Sequence, residues 1–493
     1  MAHPEGARGV VLSELSRRRF LLGVASALTL TACGPKGSAS SPGAPVSVPV
    51  LKDVASAGTF FTRPEFFIAH RGSYDNWPEH TMRAYAGAVA AGAEALEISV
   101  NSTSDGILVC HHDPTTERNA DRLVTIAQTT YAELEDVRVD ARKWLGPKTP
   151  TEPIPQLKEV LDAFAASRVL LIEDKQGDNT EAILDMMDGY PDAKSHLVWK
   201  QWAGAGQWQA AKDRGYLRWG FFTEDLFDRV DELATRFDFL GVPTTATDVL
   251  IKKVVAAGRP VIAYEVHTRA VRERMASLGV QGMMCSNYPY VTGNEPPALT
   301  DAFGTGLRPA GDLPWTTAKG SSYQPVTDVL TASLSIGHHG IQSYSMGSMC
   351  PIETNAHTLS FDVRWPDELP DVGQHVGVAF GLDDDRPYRV LVPSELGGYH
   401  MIIRSNGIME LFRRAPGSES GVSLGSRPTG HPTPGQWMTF EVTVTPERVR
   451  ILRKGLPTWQ FEVDDVTYRG GYFSLCKNYA AELPVEFRSI SIA

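Results

Sequence analysis

The sequence predicts a (β/α)8 TIM barrel of the α/β class, followed by an all-β jelly roll or sandwich. Between Phe66 and Tyr290, short apolar runs alternate with amphipathic stretches, which is typical of repeated βα units and a parallel sheet. This segment of 225 residues contains eight candidate strands, enough to close a barrel, and approaches the roughly 250 residues usual for that fold. After about residue 316, short β-branched runs separated by turn residues indicate a second domain.

The length and charge of the chain limit its possible domain organisation and its possible binding partners. With 493 residues, the chain is longer than one hydrophobic core usually supports. The net charge of −11 argues against non-specific binding to nucleic acid, which needs a basic surface. We therefore expect five segments: a signal peptide at 1–33, a flexible linker at 34–59, the barrel at 60–295, a second linker at 296–315 and the β-sandwich at 316–493.

The N-terminus resembles an export signal. Adjacent arginines at positions 17–19 lead into an apolar run of 13 residues, 20–32, which is shorter than the roughly 20 residues of a membrane-spanning helix. The run ends at Leu30-Thr31-Ala32-Cys33-Gly34, which resembles a bacterial lipobox. These features predict twin-arginine export and a lipid anchor on Cys33 at the outer face of the cytoplasmic membrane. A plainly cleaved signal and a secreted protein are the alternative.

The elements of the barrel follow from its apolar periodicity. Strands are predicted at 66–69, 95–100, 169–173, 196–199, 217–222, 237–242, 260–266 and 282–286. Helices are predicted at 81–91, 156–166, 180–187, 208–214, 226–235, 247–257 and 268–278. The stretch from Asp113 to Pro155 interrupts this rhythm, and we expect it to form a loop or small subdomain over the site.

The C-terminal region shows alternating, β-branched segments at 358–364, 376–381, 399–404, 438–444, 449–453 and 485–492. The order of Gly, aromatic and β-branched residues across 398–444 resembles concanavalin-like glycan-binding modules, and a structural sandwich without a ligand is the alternative. Trp315, Trp365, Tyr399 and Trp437 could stack on sugars, but aromatic residues of a sandwich usually belong to its core, so we assign them no site.

The cysteines of the chain allow several disulfide pairings. With Cys33 reserved for lipid, Cys110, Cys285, Cys350 and Cys476 allow three pairings, which the sequence does not distinguish. Cys350 with Cys476 is a pairing within one domain, and buried thiols are the equal alternative.

Most of the candidate catalytic residues lie in one stretch of the barrel sequence. Two histidines, His70 and His112, lie in polar clusters, with Arg71, Glu79 and Glu97 around or between them. Cleavage of a phosphodiester needs fixed positive charge for the anion and groups that exchange protons near neutral pH, which paired histidines supply. Because barrel active sites form at the C-terminal ends of the strands, we expect these side chains to converge. His111 is expected to be a structural histidine.

The motifs in this stretch resemble those of the glycerophosphodiester phosphodiesterase family. They are His70-Arg71-Gly72, Pro78-Glu79-His80-Thr81, Glu97, Thr103-Ser104-Asp105-Gly106, His112-Asp113, Ile154-Pro155-Gln156-Leu157 and Glu173-Asp174-Lys175. The resemblance implies a TIM barrel in which His70 and His112 are the acid and base, in an order that the sequence does not settle. It further implies that Arg71 and Lys175 bind the substrate phosphate, that Glu79 orients the site, and that Glu97 and Glu173 bind Mg²⁺ or Ca²⁺.

The second strand departs from the family pattern. Family members usually have Glu-x-Asp there, with both carboxylates helping to hold the metal, whereas this chain has Glu97-Ile98-Ser99. Three outcomes are open: a more weakly held metal, a metal held with help from another acid, or no metal. Glu265, at the end of the seventh predicted strand, is the candidate substitute. His80 and Asn287 also replace residues common in the family, which puts the identity of the substrate in doubt.

Two functions follow from these observations. The first is an exported phosphodiesterase that hydrolyses glycerophosphodiesters or related phospholipid-derived diesters to a phosphomonoester and an alcohol. The second is a catalytically degenerate barrel that serves as a cell-envelope lipoprotein and binds glycan through its sandwich. Ser99 favours the second function, and the retained cluster of imidazole and cationic groups favours the first.

Overall fold

The computed structural model describes residues 56–293, 298–310, 327–337, 343–347, 356–386, 388, 395–479 and 483–493. The predicted signal peptide with the lipid-anchor residue Cys33, most of the first predicted linker, both ends of the second, and Trp315 and Cys350 lie outside these residues. Within the described part, no helix has the length and apolar character needed to cross a membrane.

Eight parallel strands close into the predicted barrel. The first strand pairs with both the second and the eighth, and each of the others pairs with its sequence neighbours. The strands are Phe66–Ala69, Ala95–Ser102, Val169–Asp174, Leu197–Trp202, Leu217–Phe221, Phe239–Pro243, Val261–Val266 and Gly282–Cys285. Each overlaps a predicted strand, and the predicted TIM-barrel fold class is confirmed.

Helices surround the barrel, and all but Ala193–His196 and Tyr288–Thr292 lie within or overlap a predicted helix. They are Met82–Ala90, Leu157–Phe164, Thr180–Asp188, Ala193–His196, Trp208–Asp213, Val230–Leu233, Asp248–Val255, Arg269–Ser277 and Tyr288–Thr292, with a further turn at Ala57–Phe60 before the first strand. The stretch predicted as a helix at 226–235 is mostly 3-10 turns, Glu224–Arg229 and Ala234–Arg236, on either side of one α-helical turn. Thr81 caps the first of the surrounding helices by accepting a hydrogen bond from the backbone N–H of Ala84.

The interior of the barrel is apolar in its lower half and polar at its mouth. Inward side chains of the strands pack with Phe60 and Phe61, which close the bottom. Because successive residues of a strand alternate between its faces, the residues two positions further along the same strands point inward at the mouth. There they are Glu97 and Ser99 on the second strand, Glu173 on the third and Lys200 on the fourth, all buried.

The predicted insertion forms a small subdomain. Strand Leu108–Cys110 runs antiparallel to the second barrel strand, and Arg138–Val139 pairs with Glu152–Pro153. Short helices at Tyr131–Leu134 and Arg142–Leu145 and a turn at Ile126–Gln128 complete it, around a core of its own. This arrangement brings Arg118 and Trp144 to the barrel mouth, where Trp144 Nε1 donates to the carbonyl of Tyr74.

The C-terminal region is the predicted β-sandwich. One sheet contains, in spatial order, Thr327–Val329, Leu334–Ile336, Val485–Ile492, His357–Arg364, Met438–Val444, Val449–Arg453 and Gln460–Val463. The other contains Ser343–Gly347, Gly470–Lys477, His375–Gly381, Gly398–Arg404, Ile408–Arg414 and Val422–Pro428. Trp365 and Tyr399 belong to the core between the sheets, and Trp437 lies between the guanidinium groups of Arg364 and Arg488.

Barrel and sandwich share a hydrogen-bonded junction. The buried Asp385 of the sandwich accepts hydrogen bonds from the backbone N–H groups of Arg269 and Ala270 and from the Tyr290 hydroxyl of the barrel. The connecting segment 298–310 also contacts both domains, since Asp301 bonds the backbone of Ile490 and Arg308 donates to the carbonyl of Asp75.

Three of the four cysteines discussed above are described, and each is a buried free thiol: Cys110, Cys285 and Cys476. The pairing of Cys476 with Cys350 stays a prediction because Cys350 lies outside the described residues.

Candidate active site

A continuous chain of contacts joins both predicted catalytic histidines at the mouth of the barrel. His70 Nε2 lies 4.0 Å from Glu97, and Glu97 contacts Lys200 at 2.6 Å. Lys200 also contacts Glu173 at 2.5 Å. Glu173 in turn contacts Lys175, which reaches His112 Nε2 at 3.3 Å. The four predicted residues at 70, 97, 112 and 173 therefore lie on one rim, as expected for side chains at the C-terminal ends of barrel strands.

The turn after the first strand orients His70 and Arg71. Arg71 has φ 51°, and its backbone N–H donates to Glu97 Oε2 at 3.0 Å. Gly72 follows with φ 77°, and a Cβ there would lie 2.6 Å from that of Ala84. Only glycine combines this left-handed backbone with such a close approach to the first surrounding helix, which explains the residue type after His-Arg.

His70 is buried between acidic and hydroxyl groups. Its Nδ1 is 3.3 Å from Ser286 Oγ and 4.0 Å from Glu265 Oε1. Burial first, and then the positive charge of Arg71, lower the pKa of His70 to about 3, although Glu265 and Glu97 oppose the shift. The ring is therefore neutral at physiological pH in the ligand-free protein.

His112 is held by the acid that follows it. Its Nδ1 lies 2.6 Å from Asp113 Oδ1. Because an ionised carboxylate can only accept, Nδ1 carries the hydrogen and Nε2 is the nitrogen that can exchange a proton with a ligand. Burial, followed by Arg71, lowers the pKa of His112, and the hydrogen bond to Asp113 opposes this shift.

Glu79 is the centre of a buried ion-pair network. Its two oxygens accept from Arg118 at 2.8 and 2.5 Å, while Arg71 Nη1 lies 3.5 Å away. Burial works to raise the pKa of Glu79, but Arg71 and Arg118 outweigh it and hold the pKa well below the usual range. Arg118 also donates to Asp113, so one arginine connects Glu79 to the acid that holds His112.

Ser99, Glu173 and Lys200 lie in register on three adjacent strands, and Glu97, two residues before Ser99 on the same inward face, completes this row. Ser99 lies opposite Glu173, and Glu173 lies opposite Lys200, across three adjacent strands. Burial works to raise the pKa of Glu97, but Lys200 and then His70 outweigh it and hold the pKa well below the usual range. The pKa of Glu173 is also lowered, by Lys200 and then Lys175, against burial. Both carboxylates are thus ionised.

Glu265 lies on the other side of His70 and connects Arg71 to Tyr74 and His267. Its carboxylate accepts from the Tyr74 hydroxyl at 2.7 Å and contacts Arg71 and His267 at 3.6 and 3.5 Å. His267 Nδ1 also contacts Asp75 at 2.7 Å. The oxygens of Glu265 face these groups, and its role as a substitute metal ligand stays a prediction.

Two further histidines lie close by. Both ring nitrogens of His111 are engaged, at 2.9 Å from the carbonyl of Asp113 and 3.1 Å from Asn119 Oδ1. His80 is buried with φ 55°, and its Nδ1 lies 2.8 Å from the Tyr85 hydroxyl. None of these three contacts involves a residue of the charged row between His70 and His112.

The residues at the mouth do not fit the divalent cation that the resemblance implied. Ca²⁺ takes six to eight oxygen ligands, and Mg²⁺ binds through carboxylates and water in octahedral geometry. Here the ammonium group of Lys200 lies between the two carboxylates, and the hydroxyl of Ser99 donates to Glu97. Across the described part of the chain, no three His, Cys, Asp or Glu side chains are grouped to hold a metal ion. In this structure Glu97 and Glu173 bind Lys200, and their predicted metal-ligand role stays a prediction.

Sequence reasoning missed four groups at this mouth: Arg118, Lys200, His267 and Asp75. The signal for Lys200 was present, because alternation from the inward Val198 places Lys200 on the inner face once the fourth strand extends beyond Trp199. Arg118 lies in the irregular insertion, where no periodicity indicates which side chains point to the site.

Comparison with known proteins agrees with the motifs. Residues 70–217 match the model of the glycerophosphoryl diester phosphodiesterase family. The chain is 31% identical over 134 residues to glycerophosphodiester phosphodiesterase 1 of Homo sapiens, covering 27% of this chain and 40% of the relative. It is 37% identical over 111 residues to a glycerophosphodiester phosphodiesterase of Caldanaerobacter subterraneus, covering 22% and 45%. The chain thus spans less than half the length of these relatives.

Among solved structures, a phosphodiesterase of Oleispira antarctica, in complex with the product sn-glycerol-3-phosphate, is similar with a TM-score of 0.41 and 23% identity. That similarity covers 46% of this chain and 94% of the solved one.

Proposed function

Because residues 70–217 carry a glycerophosphoryl diester phosphodiesterase family domain, we propose that the barrel hydrolyses glycerophosphodiesters or related phospholipid-derived diesters to a phosphomonoester and an alcohol. The observation that carries the proposal is the contact chain from His70 to His112, which gathers two imidazoles, two carboxylates and two lysine side chains at one rim. A scaffold that only supports a binding domain has no need for such a cluster, which distinguishes this function from the degenerate-barrel alternative.

In this proposal the two histidines transfer the protons of the reaction. One imidazole accepts a proton from the attacking water, while the other donates a proton to the departing alkoxide as its bond to phosphorus breaks. His112 exchanges its proton at Nε2, because Nδ1 is committed to Asp113. Either histidine can take either role. A neighbouring hydroxyl of the substrate can also serve as the first nucleophile, through a cyclic phosphate that water then opens.

Arg71 and Lys175 supply the positive charge for the phosphate in this proposal. Lys175 is about one-fifth exposed and contacts His112, so it can meet a phosphoryl oxygen beside the reacting imidazole. Arg71 is buried against Glu79 and Glu265, which fixes its guanidinium below the opening. Fixed cations around a developing negative charge lower the barrier without reorganisation during the reaction.

Divalent-metal dependence is general in this family. The donor set of this chain does not fit such an ion, so none of these steps is routed through one.

Hydrolysis assays on the purified full chain test this function. The substrates are glycerophosphocholine, glycerophosphoglycerol and bis(p-nitrophenyl) phosphate, and the variants are His70→Ala and His112→Ala. Loss of a general acid or base should lower kcat by about 10²- to 10⁴-fold. His431→Ala, at an exposed histidine of the sandwich, is the control and should retain full activity. Turnover that is absent, or that persists unchanged in His70→Ala, would rule out the proposed reaction.

We also propose that the chain is exported and anchored by lipid at Cys33, which rests on the sequence motif alone. Metabolic labelling with a fatty acid and fractionation of the host bacterium test it. The wild type should be labelled and should sediment with membranes, whereas Cys33→Ser should be unlabelled and released. Equal labelling of both proteins would exclude the anchor.

A further inference from the structure

The ammonium group of Lys200 is the only cation in contact with both Glu97 and Glu173 among the residues that the structure describes. Its Nζ lies 2.6 Å from one carboxylate and 2.5 Å from the other, and the lysine side chain is only 7% exposed. The rings of Trp219 and Phe221 lie 5.5 and 5.4 Å from the same nitrogen. Four groups therefore fix the ammonium inside the barrel.

The backbone of the fourth barrel strand determines where Lys200 lies. Lys200 lies on the fourth barrel strand, directly opposite Glu173 on the third and Trp219 on the fifth. Strand register therefore keeps its side chain at this depth. A metal ion that entered between the carboxylates would have to displace an ammonium group that both carboxylates already hold.

The row carries the same net charge without a metal ion as a three-carboxylate site would carry with one. Glu97, Glu173 and Lys200 carry −2 and +1, which gives −1 for the row because Ser99 is neutral. A third carboxylate at position 99 with a divalent cation in place of the ammonium would carry −3 and +2, which also gives −1. Relative to that three-carboxylate site, serine at 99 removes one negative charge, and the Lys200 ammonium in place of a divalent cation removes one positive charge. The two differences together leave the net charge unchanged, whereas either one alone would change it.

We propose that Lys200 replaces the divalent cation of this site, so that the barrel neither binds nor needs one. Lys200 acts as a positioning residue: it holds Glu97, whose other oxygen accepts from the backbone N–H of Arg71 and faces His70. The part of this inference that concerns turnover rests on the proposed phosphodiesterase function. The part that concerns metal binding does not.

The first test measures metal binding on the full chain without reference to activity. Mn²⁺ binding is followed by electron paramagnetic resonance after dialysis against EDTA, and Ca²⁺ and Mg²⁺ by titration calorimetry. We expect no site with a Kd below about 1 mM in the wild type. The variant Ser99→Asp/Lys200→Ala provides three carboxylates without the ammonium and should bind one Mn²⁺ more tightly than the wild type. Lys212→Ala, outside the barrel interior, is the control and should behave as the wild type.

The second test compares turnover with EDTA and with added Mg²⁺ or Ca²⁺. Wild-type activity should change by less than about twofold, whereas any activity of Ser99→Asp/Lys200→Ala should depend on metal. One Mn²⁺ bound tightly by the wild type, or wild-type turnover abolished by EDTA and restored by Mg²⁺, would overturn the inference. If the wild type hydrolyses no diester under any condition, the proposed function fails and the binding data alone decide the role of Lys200. If the double variant does not fold, the wild-type measurements still decide it.

Discussion

Arg118 forms a two-bond ion pair with Glu79, although the two residues lie 39 positions apart and on different parts of the fold. The guanidinium comes from the inserted subdomain, and the carboxylate comes from the loop before the first surrounding helix. Glu79 is almost completely buried, whereas Arg118 is 15% exposed. The insertion is thereby attached to the barrel mouth at the point where His112 and its acid Asp113 are held.

Replacing Arg118 by alanine should destabilise the protein strongly. The substitution leaves the Glu79 carboxylate buried with only the more distant Arg71 as a described ion-pair partner, and breaking a buried ion pair costs about 3 kcal/mol or more. Urea unfolding measures the free energy. Arg118→Ala/Glu79→Gln should recover part of the loss because the buried Glu79 carboxylate is then replaced by a neutral amide. Arg229→Ala removes an exposed ion pair and should cost at most about 1 kcal/mol. Equal costs for Arg118→Ala and Arg229→Ala would contradict the prediction.

The pH dependence of kcat/KM should have an acidic optimum. General acid–base catalysis needs one histidine protonated and the other neutral, and kcat/KM reports their pKa values in the free enzyme. The pKa of His70 is lowered to about 3, and that of His112 is lowered from 6.5. The singly protonated pair therefore declines as the pH rises above the higher of the two values, which lies below 6.5. Initial rates at low glycerophosphocholine concentration should fall about tenfold per pH unit on that side.

The variant Asp113→Asn tests whether His112 determines the alkaline limb of the pH profile. Asp113 works to raise the pKa of His112, so its replacement should move the alkaline limb to lower pH as well as reduce the rate. Asp121→Asn, on the surface of the same subdomain, should leave the limb in place. A wild-type alkaline limb above pH 7 would show that these histidines are not the titrating pair.

His267 should make stability depend on pH in the alkaline range. Burial by itself would lower its pKa, but Asp75 and Glu265 outweigh burial and raise the pKa to about 10. A raised folded-state pKa contributes stability that is complete below the unfolded value of 6.5 and is lost as the pH rises through 10. The advantage of wild type over His267→Asn in unfolding free energy should therefore decrease between pH 6.5 and 10. Urea unfolding at several pH values measures it, and a constant advantage would refute the ion-pair account.

Apolar periodicity predicts the barrel of this chain well, because parallel strands that are buried on both faces have nearly continuous apolar sequences. All eight barrel strands appear within a few residues of their predicted ends. Seven of the thirteen described sandwich strands have no counterpart among the predicted segments: Thr327–Val329, Leu334–Ile336, Ser343–Gly347, Ile408–Arg414, Val422–Pro428, Gln460–Val463 and Gly470–Lys477. Val422–Pro428 is mostly exposed and contains glycine and proline, so its sequence carries little apolar alternation, and pairing with Ile408–Arg414 determines its structure instead.

The site was predictable where motif and strand end coincide, and not where partners come from distant parts of the chain. His70, Glu97 and Glu173 are at the mouth because strand order places them there. Which cation lies between Glu97 and Glu173 depends on the register between the third and fourth strands, and a sequence does not give register. The network of Glu265 with Asp75 and His267 likewise joins residues about 190 positions apart.

The junction between barrel and sandwich should depend on Asp385. Its side chain is 1% exposed and accepts from the backbone N–H groups of Arg269 and Ala270, at 2.7 and 2.8 Å, and from the Tyr290 hydroxyl. Alanine would remove all three acceptor contacts, and a buried donor that loses its acceptor costs about 1 to 3 kcal/mol. Asparagine keeps one acceptor oxygen and buries no charge, so it should cost less.

Thermal unfolding of the full chain should therefore rank Asp385→Ala as less stable than Asp385→Asn, and both as less stable than wild type. The order should be clearest at neutral pH, where the wild-type carboxylate is a strong acceptor although burial raises its pKa. Asp383→Ala, at an exposed neighbouring residue, is the matched control and should unfold like the wild type. If Asp385→Ala unfolds at the same temperature as Asp383→Ala, the hydrogen bonds of Asp385 do not stabilise the junction, and its other contacts must hold the two domains together.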